Sequence, residues 1–206
     1  MKNKGQMFLI TAAIIIIILV LLKTGINLPD ILQREKELKS RFEKEFFLNI
    51  VDELVKVIDI SYHQSSNITN NVFDFGNFTR KRMTERVQSF NFLFVGIITP
   101  ASQGSATMNV TYINLLSKPI NATLQLDSYK PVNYSEMLDS TSWTTNYSIT
   151  QGQTYDLIIG YNGTYSENVT IGTKINQSVY IGFFDITLNG SETTYKDKFQ
   201  KNYTLP

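Results

Sequence analysis

Residues 155–171 read YDLIIGYNGTYSENVTI, two runs of alternating apolar and polar residues around Asn162-Gly163. Asn and Gly both tolerate the positive φ that a tight type I′ turn requires, so the stretch predicts a β-hairpin with strands at 155–161 and 164–171. A second pair, Asn189-Gly190, separates 179–188 from 192–199 and predicts a hairpin of the same kind. Further upstream, NFLFVGII at 91–98 is a compact apolar strand closed by Thr99-Pro100. Met108, Val110 and Tyr112 alternate with Asn109 and Thr111, Leu124 and Leu126 continue the pattern, and Trp143, Thr145, Tyr147 and Ile149 share one face. Seven or eight short strands at this spacing predict an antiparallel β-sandwich, immunoglobulin-like in form. The chain has no cysteine, so the disulfide of true immunoglobulin domains is excluded.

Ahead of the strands the period changes. Pro29 interrupts a continuous helix, and Asp30 is placed to cap a new one with Gln33 reaching back. Ile31, Leu38, Phe42, Phe46, Ile50, Leu54 and Ile58 then recur at spacings of seven and four, which predicts an amphipathic helix over 31–61. Its other face alternates Lys and Arg with Glu, a solvated pattern with local ion pairs. Residues 62–78 read as a polar connector, followed by a short helix over 79–90 bearing Arg80, Lys81, Arg82 and Arg86. That basic cluster reads first as a solvated face and second as a contact for anionic head groups; no nucleic-acid partner is expected.

The N-terminus differs again. Residues 7–22, MFLITAAIIIIILVLL, are uncharged, and at ~1.5 Å per residue they reach roughly 24 Å, extendable through Thr24, Gly25 and Ile26 with Lys23 snorkelling. A bilayer core is about 30 Å thick. A cleaved secretory signal peptide has a similar apolar run, but no small-x-small site follows this one; the next residues are Lys23, Thr24 and Gly25. The segment therefore predicts a single membrane anchor. The expected fold class is α+β, with a transmembrane anchor over 1–25, a helical stem and connector over 26–90, and an extracytoplasmic β-sandwich over 91–206.

Lys4-Gly5-Gln6 directly ahead of the apolar helix resembles the class III signal peptide of archaeal type IV pilin-like proteins. The resemblance covers about the first 25 residues. It implies that a prepilin-type peptidase cuts between Gly5 and Gln6 and leaves the hydrophobic helix on the mature chain. An apolar helix followed by an amphipathic one is also similar to a pilin stem, although a membrane-proximal coiled coil has the same pattern. Filament-forming members usually carry a Glu five positions into the mature helix; here that position is Ile10. Isoleucine is the comfortable residue for a lone anchor, because an unpaired carboxylate in lipid is costly.

Positive charge flanks the apolar run on both sides, with Lys2 and Lys4 before it and Lys23, Arg34 and Lys36 after it, so it does not orient the segment. The asparagines do. Asn-x-Ser/Thr occurs at Asn67, Asn77, Asn109, Asn121, Asn133, Asn146, Asn162, Asn168, Asn176, Asn189 and Asn202, eleven of the eighteen asparagines. Ser and Thr make up 37 of 206 residues, so accident would supply only about three such motifs. Alternating polar strands explain some of them, but Asn162 and Asn189 fall at turns and Asn67 and Asn77 outside the strand-rich part. N-glycosylation, and hence an external C-terminal side, is the expectation.

Signals for catalysis are sparse. Without cysteine there is no thiol or zinc-thiolate chemistry, and a lone His63 argues against a Ser-His-Asp arrangement or a His-rich metal site. Asp127, Glu136, Asp139 and Asp156 lie on separate predicted strands or loops with no spacing that singles out a pair. No phosphate-cradling glycine loop or EF-hand pattern is present. His63 beside Tyr62 reads as a polar helix terminus. Tyr112, Tyr129, Tyr134, Tyr147, Tyr155, Tyr161 and Tyr165 read either as a sugar-stacking platform or as strand formers and cross-strand pairs. The net charge of +1 gives no reason to expect a polyanionic partner. The expectation is a surface glycoprotein without enzymatic activity or cofactor, acting through structure or adhesion. Its partners would be membrane lipid, other envelope proteins or glycans, or further copies meeting through the N-terminal helix, with a pilin-like filament subunit as the alternative and a catalytic ectodomain a distant third.

Overall fold

A computed structural model describes residues 3–25, 28–64, 67–85, 88–190 and 193–205. The chain forms two compact units, residues 1–43 and 44–206. In the first, helix α1 (Asn3–Gly25) precedes the start of helix α2 (Leu28–His63). Pro29 is the second residue of α2, where its fixed φ suits a helix start and its missing N–H costs nothing. Asp30 therefore sits inside the first turn and is not the cap expected from the sequence. Among the described residues no helix is long and apolar enough to cross a membrane. The side chains described in α1 run only from Phe8 to Lys23, roughly 24 Å of helix.

In the second unit, the C-terminal half of α2 is followed by helix α3 (Ile68–Glu85) and nine strands. These are β1 (Ser89–Thr99), β2 (Ser105–Leu115), β3 (Ile120–Leu126), β4 (Val132–Met137), β5 (Thr141–Thr150), β6 (Thr154–Tyr161), β7 (Tyr165–Gly172), β8 (Ser178–Asn189) and β9 (Thr194–Leu205). They form a five-stranded antiparallel sheet, β5-β2-β1-β8-β9, and a four-stranded one, β4-β3-β6-β7. Three expectations need correction. Helix α3 begins at Ile68, inside the segment read as connector, and ends at Glu85, so Phe90 belongs to β1. Among the described residues the strands number nine, because β4, VNYSEM, buries only Met137 and has no alternation to read. At the second Asn-Gly, Asn189 remains paired with Thr194 and Gly190 N donates to Thr193 O at 2.8 Å, so the hairpin does not close in a two-residue turn at Asn189-Gly190; the strand start expected at Glu192 lies outside the described residues. At the first, Asn162 and Gly163 have φ of 52° and 68°, as a type I′ turn requires.

Two cores flank the five-stranded sheet. Leu93, Val95, Met108, Val110, Tyr112, Ile181 and Phe183 meet Leu124, Leu157, Ile159, Val169 and Ile171 of the other sheet, making a sandwich. On the opposite face Phe90, Phe92, Phe94, Phe184, Ile186 and Leu188 pack under α2 and α3. This double cover is why β1 and β8 read as nearly continuous apolar runs. Helix α2 supplies Phe47, Ile50, Leu54, Ile58 and Tyr62; Ile50, Leu54 and Ile58 are as read from the period, whereas Phe47 displaces Phe46 from the buried row. Helix α3 supplies Ile68, Val72, Gly76, Thr79 and Met83, spaced by three and four.

Gly96 and Gly182 face each other across β1 and β8 and leave room for the rings of Phe94 and Phe184, whose centroids are 4.9 Å apart. A Cβ on Gly182 would lie 2.8 Å from the Phe184 ring. Gly182→Ala is expected to lower stability by about 1–3 kcal/mol through overpacking. Urea unfolding of the detergent-solubilised chain checks this, and an unchanged midpoint would refute it.

Candidate functional site

The processing pair Gly5-Gln6 falls within α1, and its side chains lie outside the described residues. Of the eleven sequon asparagines, nine are exposed, and Asn77 and Asn189 are half-buried. Asn114, by contrast, is fully buried and belongs to no sequon. Its Nδ2 donates to Lys118 O at 3.0 Å and to Met137 O at 3.0 Å, and its Oδ1 accepts from Leu116 N at 3.0 Å. The chain thus separates a structural asparagine from those that meet solvent.

The sequons differ in what their carboxamides do. N-glycosylation occupies Nδ2 and leaves Oδ1 as an acceptor. Asn67 Oδ1 caps α3 by accepting from Asn70 N at 3.1 Å. Asn121 Oδ1 accepts from Glu136 N at 2.9 Å, Asn133 Oδ1 from Thr123 Oγ1 at 2.9 Å, and Asn162 Oδ1 from Asn121 N at 2.8 Å. All four geometries keep Nδ2 available for a glycan. Asn189 is the exception, because its Nδ2 donates to Ser89 Oγ at 2.8 Å. Ser191, which completes that sequon, lies outside the described residues. In Asn77-Phe78-Thr79 the threonine is buried within α3, so folding removes the hydroxyl that recognition requires.

An open groove of about 710 Å³ lies at one mouth of the sandwich. Ser89 and Asn91 of β1, Thr187 and Asn189 of β8, and Thr194 and Lys196 of β9 floor it, with Lys118 and Tyr161 on its rim. Tyr161 stacks on Tyr165 across the hairpin at 4.4 Å, and Lys198 Nζ lies 4.7 Å from the Tyr165 ring centroid. Tyr112 is buried beneath, its hydroxyl unpartnered; burial pushes that phenol far above its ordinary range, and the nearby charges of Tyr161 and Asp185 add to the effect. The groove can offer hydrogen bonds and two lysines to a polar molecule. The tyrosines do not converge on one platform: Tyr112 and Tyr147 are core residues, and Tyr134 pairs with Trp143 at 5.4 Å.

On the third helix Lys81 and Arg82 are exposed, as the expected solvated face requires, and Arg80 departs from it. Arg80 Nη1 bonds both carboxylate oxygens of Asp139 at 2.7 Å, and Arg80 Nη2 bonds Ser140 Oγ. Asp139 Oδ1 also accepts from Ser117 N at 2.9 Å, so one carboxylate ties α3 to two strand connections. Arg82 reaches Glu85 and the Phe78 ring, and Arg86 lies outside the described residues. Asp127 and Asp156 are brought together through the main chain, with Asp156 N donating to Asp127 Oδ1 at 2.6 Å. His63 is exposed and edge-on to Tyr62. Among the described residues no group of three or more His, Asp or Glu is disposed to hold a metal ion. The clamp at Arg80 had no sequence signal, since Asp139 lies fifty-nine residues away, and the knot at Asn114 joins its near neighbours Leu116 and Lys118 to Met137 of a distant strand. No protein-family model, no curated protein and no solved structure matches this chain.

Proposed function

We propose that this protein is a membrane-anchored, externally facing surface glycoprotein with a structural or adhesive role and no catalytic one. The observation that carries the reading is the character of α1. Its apolar residues are exposed all round, from Phe8 at 77% through Ile10 at 59% to Leu22 at 52%. A helix apolar on every face is stable only where something other than water surrounds it. Its described apolar residues, Phe8 to Leu22, cover roughly 22 Å, so a hydrocarbon core of about 30 Å would be matched by local thinning of the bilayer and by Lys23 snorkelling. The exposed sequons support an external head, and the immunoglobulin-like label for its two-sheet sandwich is part of the same reading.

A specific observation keeps a filament-subunit reading beside it. Ile31, Leu38 and Phe42 of α2 are exposed at 54%, 68% and 64%, an apolar stripe that further copies would cover. Ile10, in place of the filament glutamate, ranks the lone anchor first.

Deleting residues 1–25 is expected to move the protein from the membrane pellet to the soluble fraction with its circular dichroism strand signal retained. A truncated chain that still pellets with membranes after a high-salt wash would overturn the anchor. N-terminal sequencing of the native chain is expected to begin at Gln6, and filaments in sheared-cell supernatants would promote the second reading.

A further inference from the structure

Each of the four edge strands carries one exposed sequon asparagine: Asn146 on β5, Asn202 on β9, Asn133 on β4 and Asn168 on β7. An edge strand presents main-chain N–H and C=O groups that template pairing with another chain, and proteins blunt it with charge, proline, bulges or shortness. Three edges have such devices. Strand β9 carries Lys196, Asp197, Lys198 and Lys201, and β7 carries Glu167. Strand β4 is six residues long, contains Glu136 and pairs irregularly with β3.

Strand β5 has none of them. Its ten residues, TSWTTNYSIT, include no charge, proline or glycine, and its register with β2 is unbroken from Thr141 to Thr150. One end of its outer edge is closed by tyrosines: Tyr129 Oη donates to Ser148 O at 2.8 Å, and Tyr155 Oη meets Thr150 N and O at 2.7 and 3.1 Å. Outward groups recur at every second residue, so Ser142, Thr144 and Asn146 present the remainder. Asn146 thus stands in the open part of the one uncharged edge.

We infer that a glycan on Asn146 guards this edge and stops β5 from pairing with β5 of a second copy of the chain. The inference rests on the external, glycosylated reading above. In the modification Asn146 Nδ2 bonds to the anomeric carbon of a sugar carried on a lipid phosphate; the sugar–phosphate bond breaks, the phosphate leaves with the electron pair, and Nδ2 gives up one proton. Antiparallel partners must approach to ~4.8 Å, and an oligosaccharide hinged at the edge occupies that space.

The test uses the full chain purified in detergent from its native host, with site occupancy read by mass spectrometry and molecular mass by light scattering. Asn146→Gln and Ser148→Ala remove the same sequon by different routes, and Asn168→Gln removes a glycan from a charged edge. The first two are expected to raise the particle mass to twice the wild-type value or more as concentration increases, and Asn168→Gln to leave it unchanged. Adding Thr144→Lys to Asn146→Gln is expected to restore the wild-type mass by restoring edge charge. An occupied Asn146 whose removal leaves the mass unchanged overturns the inference, and so does a bare Asn146 in a chain glycosylated elsewhere. A chain bare at every asparagine sinks this inference and the glycoprotein reading together.

Discussion

Phe184→Ala is expected to destabilise the head by about 3–5 kcal/mol, the range for truncating a fully buried aromatic residue. The Phe184 ring is inaccessible to solvent and stacks on Phe199 at 4.6 Å, with Phe94 at 4.9 Å and Phe92 at 6.2 Å. Gly182 lies beneath the ring and has no side chain to move into the space left behind. The cavity therefore persists, placing the cost toward the upper end. Phe78→Ala is the control, because Phe78 is 59% exposed on α3 and its loss is expected to cost no more than about 0.5 kcal/mol. Urea unfolding followed by Trp143 fluorescence distinguishes the two. A Phe184 variant no weaker than the Phe78 variant would mean that the helices do not cover this sheet in solution.

Arg80→Met is expected to cost about 2–3 kcal/mol, in line with losing hydrogen bonds to a charged group that is partly shielded from water. The side chains of Arg80 and Asp139 are 22% and 31% exposed, well below the exposure of the Lys56–Glu53 pair on α2 at 62% and 58%. Exposed pairs of the latter kind contribute about 0–1 kcal/mol and weaken with salt. The clamp differs because Asp139 also accepts from Ser117 N, where φ is 61°. Losing the guanidinium leaves the carboxylate desolvated without its main partner. A double-mutant cycle with Asp139→Asn is expected to give a coupling above about 1 kcal/mol that persists at high salt. Coupling that vanishes with salt would reduce the clamp to an ordinary surface pair.

Local pattern was enough for the elements whose burial is one-sided. The hairpin of β6 and β7 was legible because Asn162 and Gly163 favour the turn and the alternation assigns each residue to a face. The long α2 was legible from its period, down to Ile50, Leu54 and Ile58. Helix α3 was harder to read. Its buried row of Ile68, Val72, Gly76, Thr79 and Met83 contains only three large apolar residues, because the helix approaches Phe92 and Leu115 closely at Gly76. A Cβ there would lie 2.5 Å from Leu115. Strand β4 escaped notice for a related reason: an edge strand facing solvent shows no contrast between its faces.

The sequence by itself determined the apolar N-terminal run, the amphipathic second helix, the strand-rich C-terminal part and the positions of eleven sequons, since each depends on residues close together in the chain. The tertiary structure decided which strands became edges, that the five-stranded sheet is covered on both faces, and that Arg80 meets Asp139 fifty-nine residues away. It also decided that Asn146 lies on an uncharged edge while Asn189 is held by Ser89. Those facts follow from pairing and packing between distant segments, where the loss of chain entropy is offset only by burial of the whole core. No local spacing encodes them.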